Sequence, residues 1–226
     1  MLKHIPNFIT SLNLLCGCIG IVFSFQGQLE YSVYSIWLAM VFDFLDGFSA
    51  RILRVSSEIG KQLDSLADMI TFGLLPSVIM FQLFSATNSN YAFASFLIAI
   101  FSALRLAKFN TDETQSDSFV GIPTPANALF ISSLVFVIHL YPELINQTTL
   151  LFTSAICSLW LVMPVRLLAL KFKNYTLRDN IHRYILILLS LISIVIFRQL
   201  AIPLIIILYL ALSVIKNTTQ TNNINS

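Results

Sequence analysis

Eight long, mostly apolar runs leave this 226-residue chain little choice of solvent. They cover residues 6–25, 31–50, 63–84, 91–109, 125–141, 148–166, 183–198 and 199–216. A helix needs about 20 such residues to cross a bilayer. Only 11% of the residues are charged, against about 25% in an average soluble domain, and the mean hydropathy is +0.82. A soluble globule and a disordered chain are both excluded. Three cysteines, at 16, 18 and 157, cannot all pair, which excludes a disulfide scaffold. A net charge of +2 offers no basic face for nucleic acid. The expected fold is all-α: a polytopic integral membrane bundle of about eight transmembrane helices. It forms one domain over 1–216, followed by a polar, disordered tail over 217–226.

The first run, preceded by Lys3, has the look of a signal peptide but no A-x-A-like site follows it. It is read as a retained span. Lys and Arg then set the orientation. Lys3, the 2–3 connection (Arg51, Arg54, Lys61), the 4–5 connection (Arg105, Lys108), the 6–7 connection (Arg166, Lys171, Lys173, Arg178, Arg183) and Lys216 lie on one side. Those are 12 of the 13 basic residues, with Arg198 alone opposite. Both termini are expected to be cytoplasmic.

Four aspartates interrupt spans 2 and 3: Asp43, Asp46, Asp64 and Asp68. A charge at the bilayer centre costs about 2.5–3.5 kcal/mol on insertion scales, so something must compensate this cluster. Helical periodicity puts 43 and 46 on one face with Gly47, and 64 and 68 on one face of the next span. Residues 46 and 64 are centred on 55, and 43 and 68 on 55.5. In an antiparallel hairpin each carboxylate therefore meets a counterpart at its own depth. Hard oxygen donors of this kind suit Mg²⁺, Mn²⁺ or Ca²⁺. Two readings follow from spacing: a metal–phosphate site, or a proton relay or cation pathway. Gly47 and Gly60 leave room for a bulky ligand, and Arg51 lies one turn beyond the carboxylates, which favours the first.

The stretch Asp43-Phe-Leu-Asp46-Gly47-Phe-Ser-Ala50-Arg51, with Gly60, Asp64 and Asp68 after it, resembles the signature D-x₂-D-G-x₂-A-R-x₈-G-x₃-D-x₃-D of the CDP-alcohol phosphatidyltransferases. All eight fixed positions and all spacings agree. The resemblance implies a six-helix core, a homodimer, and two divalent metal ions, Mg²⁺ or Mn²⁺, held by Asp43, Asp46, Asp64 and Asp68. Asp68 is also the implied general base. Gly47, Ala50, Arg51 and Gly60 would line the CDP moiety of a CDP-linked lipid donor.

Three further segments resemble the membrane-bound phosphatidylserine synthases of that family: Pro6-Asn7-Phe-Ile-Thr10-Ser-Leu-Asn13, Ala103-Leu-Arg105-Leu-Ala-Lys108-Phe-Asn110, and Phe119-Val-Gly121-Ile-Pro123-Thr-Pro125-Ala126. They imply CDP-diacylglycerol as donor and L-serine as acceptor, at the cytoplasmic edge of a bacterial inner membrane. Asn7 and Thr10 would lie near the donor, or cap span 1. Arg105, Lys108 and Asn110 would lie near the acceptor; Arg105 and Lys108 are equally readable as positive-inside anchors. Glycerol 3-phosphate or an inositol phosphate is the alternative acceptor. His4, His139 and His182 show no ligand spacing, and no H-x-K occurs, so a covalent phosphohistidine route is not expected. Gly17 and Gly20 are expected to pack span 1 closely against a neighbour.

Overall fold

A computed structural model describes residues 4–55, 57–87, 90–111, 121–164 and 176–224. Among them every regular element is helical: α1 (Ile5–Phe25), α2 (Leu29–Leu53), α3 (Glu58–Asp68), a π-helical segment (Met69–Leu74), α4 (Leu75–Ser85), a 3₁₀ turn (Ala92–Phe96) leading into α5 (Leu97–Thr111), α6 (Thr124–Leu140), α7 (Gln147–Val162), α8 (Leu177–Phe197) and α9 (Ala201–Ile224). Each of the eight expected spans falls on a helix. Three continuous stretches, Ile5–Phe25, Glu58–Ser85 and Ala92–Thr111, are long and apolar enough to cross a membrane. Four shorter apolar helices stand beside them. The fold is that of a helical membrane protein.

Two boundaries differ from expectation. The seventh span begins at Leu177, earlier than 183, and α9 runs to Ile224, beyond the boundary at 216. Residues 217–224 contain neither Pro nor Gly, so nothing in them stops a helical ladder. Arg166, Lys171, Lys173, the acidic cluster Asp112, Glu113 and Asp117, and Phe119 and Val120 lie outside the described residues.

The hairpin of α2 and α3 is closed by local chemistry. Arg54 ends α2 in the left-handed region (φ 52, ψ 43), and the N–H of Val55 donates to the carbonyl of Ala50 at 3.0 Å. That is a Schellman-type stop. Ser57 then caps α3, its hydroxyl accepting the N–H of Gly60 at 3.0 Å. Past Asp68 the ladder widens into the π segment. Pro76 explains this: it has no N–H to donate, and its ring would crowd the carbonyl of Phe72 in an ordinary α-turn. The wider turn accommodates it.

Small residues govern how closely these helices approach, since apolar burial gives little drive inside lipid. α1 lies along α2 and against α3 and the π segment. A side chain at Gly17 would overlap Thr71 of the π segment, and one at Gly20 would overlap Leu75. Gly73 faces Ser102 of α5. Phe72, Leu75, Ile79, Met80 and Phe84 fill the centre with Val33, Ile36, Ile98 and Ile131. α5 packs on α7, α8 on α9, and α6 touches both α2 and α9.

The close seat at Gly17 gives a prediction. Gly17→Ala should destabilise the protein by about 1–3 kcal/mol, the usual result of overpacking a filled interface. The Thr71 backbone, not only its side chain, stands in the way. An unchanged unfolding temperature in detergent would contradict the packing described.

Candidate active site

Three carboxylates converge between α2 and α3. Asp43, Asp64 and Asp68 each offer an oxygen, and these oxygens lie within 4.8 Å of one another. α1 packs against both α2 and α3, and Asp43 of α2 converges there with Asp64 and Asp68 of α3. Asp46 stands beside the group without joining it. It is nearly fully buried, and its Oδ2 accepts the hydroxyl of Thr10 at 2.7 Å. It remains close enough to interact electrostatically with Asp43, Asp64 and Asp68. The sequence treats the four acids as equivalent; α1 distinguishes them by donating to one.

α1 also reaches Asp68. The amide of Asn13 donates to Asp68 Oδ1 at 3.4 Å, and the Asn13 carbonyl accepts Thr71 Oγ1 at 3.1 Å. Asn13 is wholly buried. From the other side α5 supplies Arg105, which is within electrostatic reach of Asp68. Arg105 Nη1 donates to Thr124 Oγ1 at 3.4 Å, and its guanidinium lies 5.9 Å from the ring centroid of Phe109. Its Nε is buried with no hydrogen-bond partner among the described residues. The Arg105–Thr124 contact joins the segments 103–110 and 121–126. That second segment is fixed in turn: Gly121 has φ +75, and Ile122 N–H donates to the Trp160 carbonyl at 3.0 Å.

A cavity of about 500 Å³ opens beside the carboxylates. Asn7 and Thr10 line it from α1, Asp46, Gly47 and Ala50 from α2, and Gly60 and Asp64 from α3. Five of the six residues expected at the donor are therefore on one wall system. The two glycines act differently. At Gly47 a side chain would meet nothing within 4 Å, so its absence keeps the cavity open. At Gly60 it would press on Asn7 Oδ1, so its absence lets α1 and α3 approach.

The sixth, Arg51, is not among the lining residues. It is exposed, and its Nε donates to the Gly47 carbonyl at 2.9 Å. Two basic residues read from sequence only as orientation signals line the cavity in its place: Arg54 and Lys61. Their positions flanking the turn between the two acidic helices were the available signal. Asn110 has a tying role in this geometry. Its amide donates to Ser65 Oγ at 2.8 Å and its carbonyl accepts Lys61 Nζ at 3.2 Å. Lys108 is exposed on the last turn of α5.

The donor set suits a hard divalent cation: carboxylate oxygens, with no sulfur or imidazole among them. An acidic cluster that reaches a cavity of this volume through Asp64 is an arrangement suited to phosphoryl transfer.

Comparison with known proteins agrees with this chemistry. The family model described as CDP-alcohol phosphatidyltransferase matches residues 3–168. The CDP-diacylglycerol–serine O-phosphatidyltransferase of Helicobacter pylori strain ATCC 700392 / 26695 is 34% identical over 190 residues, covering 83% of this chain and 80% of that protein. The Bacillus subtilis strain 168 protein of the same name is 34% identical over 139 residues, covering 60% of this chain and 77% of that one. An archaetidylserine synthase of Methanothermobacter thermautotrophicus is 33% identical over 144 residues, covering 62% and 60%.

Proposed function

This chain belongs to the CDP-alcohol phosphatidyltransferase family, and from that membership we propose that it transfers the phosphatidyl group of CDP-diacylglycerol to L-serine. The products are phosphatidylserine and CMP. The observation that carries the reading is a three-carboxylate cluster whose Asp64 lines, with Asp46, a cavity walled by Gly47, Ala50 and Gly60. The choice of serine is supported by the names of the relatives.

Asp43, Asp64 and Asp68, with Asp46 beside them, would hold two divalent cations, Mg²⁺ or Mn²⁺. Bound there, the cations neutralise and orient the donor diphosphate. The chain's own residues do the rest. The cavity walls seat the nucleotide. The serine hydroxyl attacks the phosphorus attached to diacylglycerol, the bond from that phosphorus to the oxygen of CMP breaks, and CMP leaves. Asp68 accepts the hydroxyl proton, with Asn13 holding its other oxygen. Arg105 receives the serine carboxylate. Its unpartnered buried Nε supports this, since an anion would satisfy it. Placement of the site at the cytoplasmic edge, with both termini cytoplasmic, is supported by the segregation of 12 of the 13 Lys and Arg residues. Homodimer assembly and an inner-membrane location are parts of the reading supported by family resemblance.

The direct test is product formation by purified protein with CDP-diacylglycerol, Mg²⁺ or Mn²⁺, and each acceptor in turn. Phosphatidylserine with equal CMP is expected from serine. Product only from glycerol 3-phosphate or an inositol phosphate would replace the acceptor. Cation flux in proteoliposomes without CMP release would replace the whole reading.

The same assay tests the two assigned roles. Asp68→Asn should lower kcat by about a hundredfold or more, the usual range for a lost general base, and far more than it weakens CDP binding. Arg105→Lys should raise the serine KM by roughly tenfold, because Lys cannot reproduce a bidentate carboxylate contact. A defect confined to the CDP-diacylglycerol KM would move Arg105 to the donor.

A further inference from the structure

Arg54 is in a conformation that its side chain opposes. It ends α2 with φ 52 and ψ 43, one of two described residues other than glycine with positive φ. A Cβ disfavours this region, and helix stops of this kind usually use glycine. Nothing in the helix stop itself calls for arginine: the closing bond from Val55 N–H to the Ala50 carbonyl is made by backbone. Backbone held in a disfavoured region is found where the side chain or the strain is used.

The side chain lines the 500 Å³ cavity, together with Lys61. Among the described residues no carboxylate or carbonyl is bonded to the Arg54 guanidinium, whereas Arg51 three residues earlier is bonded to its own helix. Lys61 lines the cavity while its Nζ donates to the Asn110 carbonyl at 3.2 Å. Asp46 and Asp64 line the same cavity. The cavity thus has acidic residues, suited to cations, and basic residues, suited to an anion. A ligand that satisfies both is a nucleotide phosphate bridging from bound cations to a guanidinium.

We propose that Arg54 is a donor-binding residue whose guanidinium contacts a phosphate oxygen of the nucleoside diphosphate, with Lys61 as a second cation on the same wall. This assignment rests on the CDP-linked reading above. It adds a residue outside the family signature, and gives the strained helix end a purpose.

Binding of CDP and of cytidine to purified full-length protein with Mg²⁺, followed by calorimetry, tests it. Arg54→Gly should weaken CDP by about tenfold, equivalent to about 1.4 kcal/mol. It should leave cytidine unchanged and leave the unfolding temperature equal or higher, because glycine is at ease in this conformation. Arg54→Lys should recover part of the CDP affinity. Unchanged CDP affinity in Arg54→Gly overturns the assignment, as does an equal loss for CDP and cytidine, which would make Arg54 a nucleoside contact. A lowered unfolding temperature also overturns it, since the arginine would then be serving the fold. If the unaltered protein binds no CDP, the CDP-linked reading falls as well.

Discussion

Carboxylates brought together between apolar helices repel one another, and much of the structure around them answers that repulsion. Two unit charges 4 Å apart interact by about 4 kcal/mol at an effective dielectric of ~20. Asp43, Asp64 and Asp68 are gathered within such distances, with Asp46 adjacent. α1 answers with two donors, Thr10 to Asp46 and Asn13 to Asp68. α5 answers with Arg105, and α6 steadies Arg105 through Thr124. One guanidinium and two neutral donors leave a large excess of negative charge. Divalent cations held there would balance it, as would protonation, and such cations serve phosphoryl transfer.

Holding these groups in register requires helices that touch backbone to backbone. Gly17 meets the Thr71 backbone in this way, while Gly20 receives the side chain of Leu75 and Gly73 that of Ser102. The π segment is set among them, directly after Asp68. The widened turn carries Thr71, whose hydroxyl holds the Asn13 carbonyl. Packing and chemistry are joined there: the residue that excludes a side chain at Gly17 also fixes the residue that donates to Asp68.

The hairpin and its acids were legible in the sequence because both rest on simple arithmetic. Apolar length marks the spans, and equal offsets about residue 55.5 anticipate the meeting of Asp43 with Asp68, while Asp46, the expected counterpart of Asp64, stands outside the group. The π segment was not legible, since a single widened turn leaves no period of its own; Pro76 was its one trace. The separate treatment of Asp46 depends on α1 crossing at Thr10, which spacing within α2 and α3 does not contain. Arg54, read from sequence only as an orientation signal, ends α2 in a left-handed stop and lines the cavity, while Arg51 of the signature bonds back to the Gly47 carbonyl of its own helix. Asn110, expected near an acceptor, ties α5 to α3 through Ser65 and Lys61.

The central claim is that the clustered aspartates form a divalent-cation site. Mn²⁺ binding by the purified full-length protein, followed by electron paramagnetic resonance of the free ion, tests it without any substrate. The account predicts saturable binding, strongly weakened by Asp43→Asn and by Asp64→Asn in proteins that unfold at unaltered temperature. Absence of saturable binding in the unaltered protein, or full binding by both variants, would contradict it.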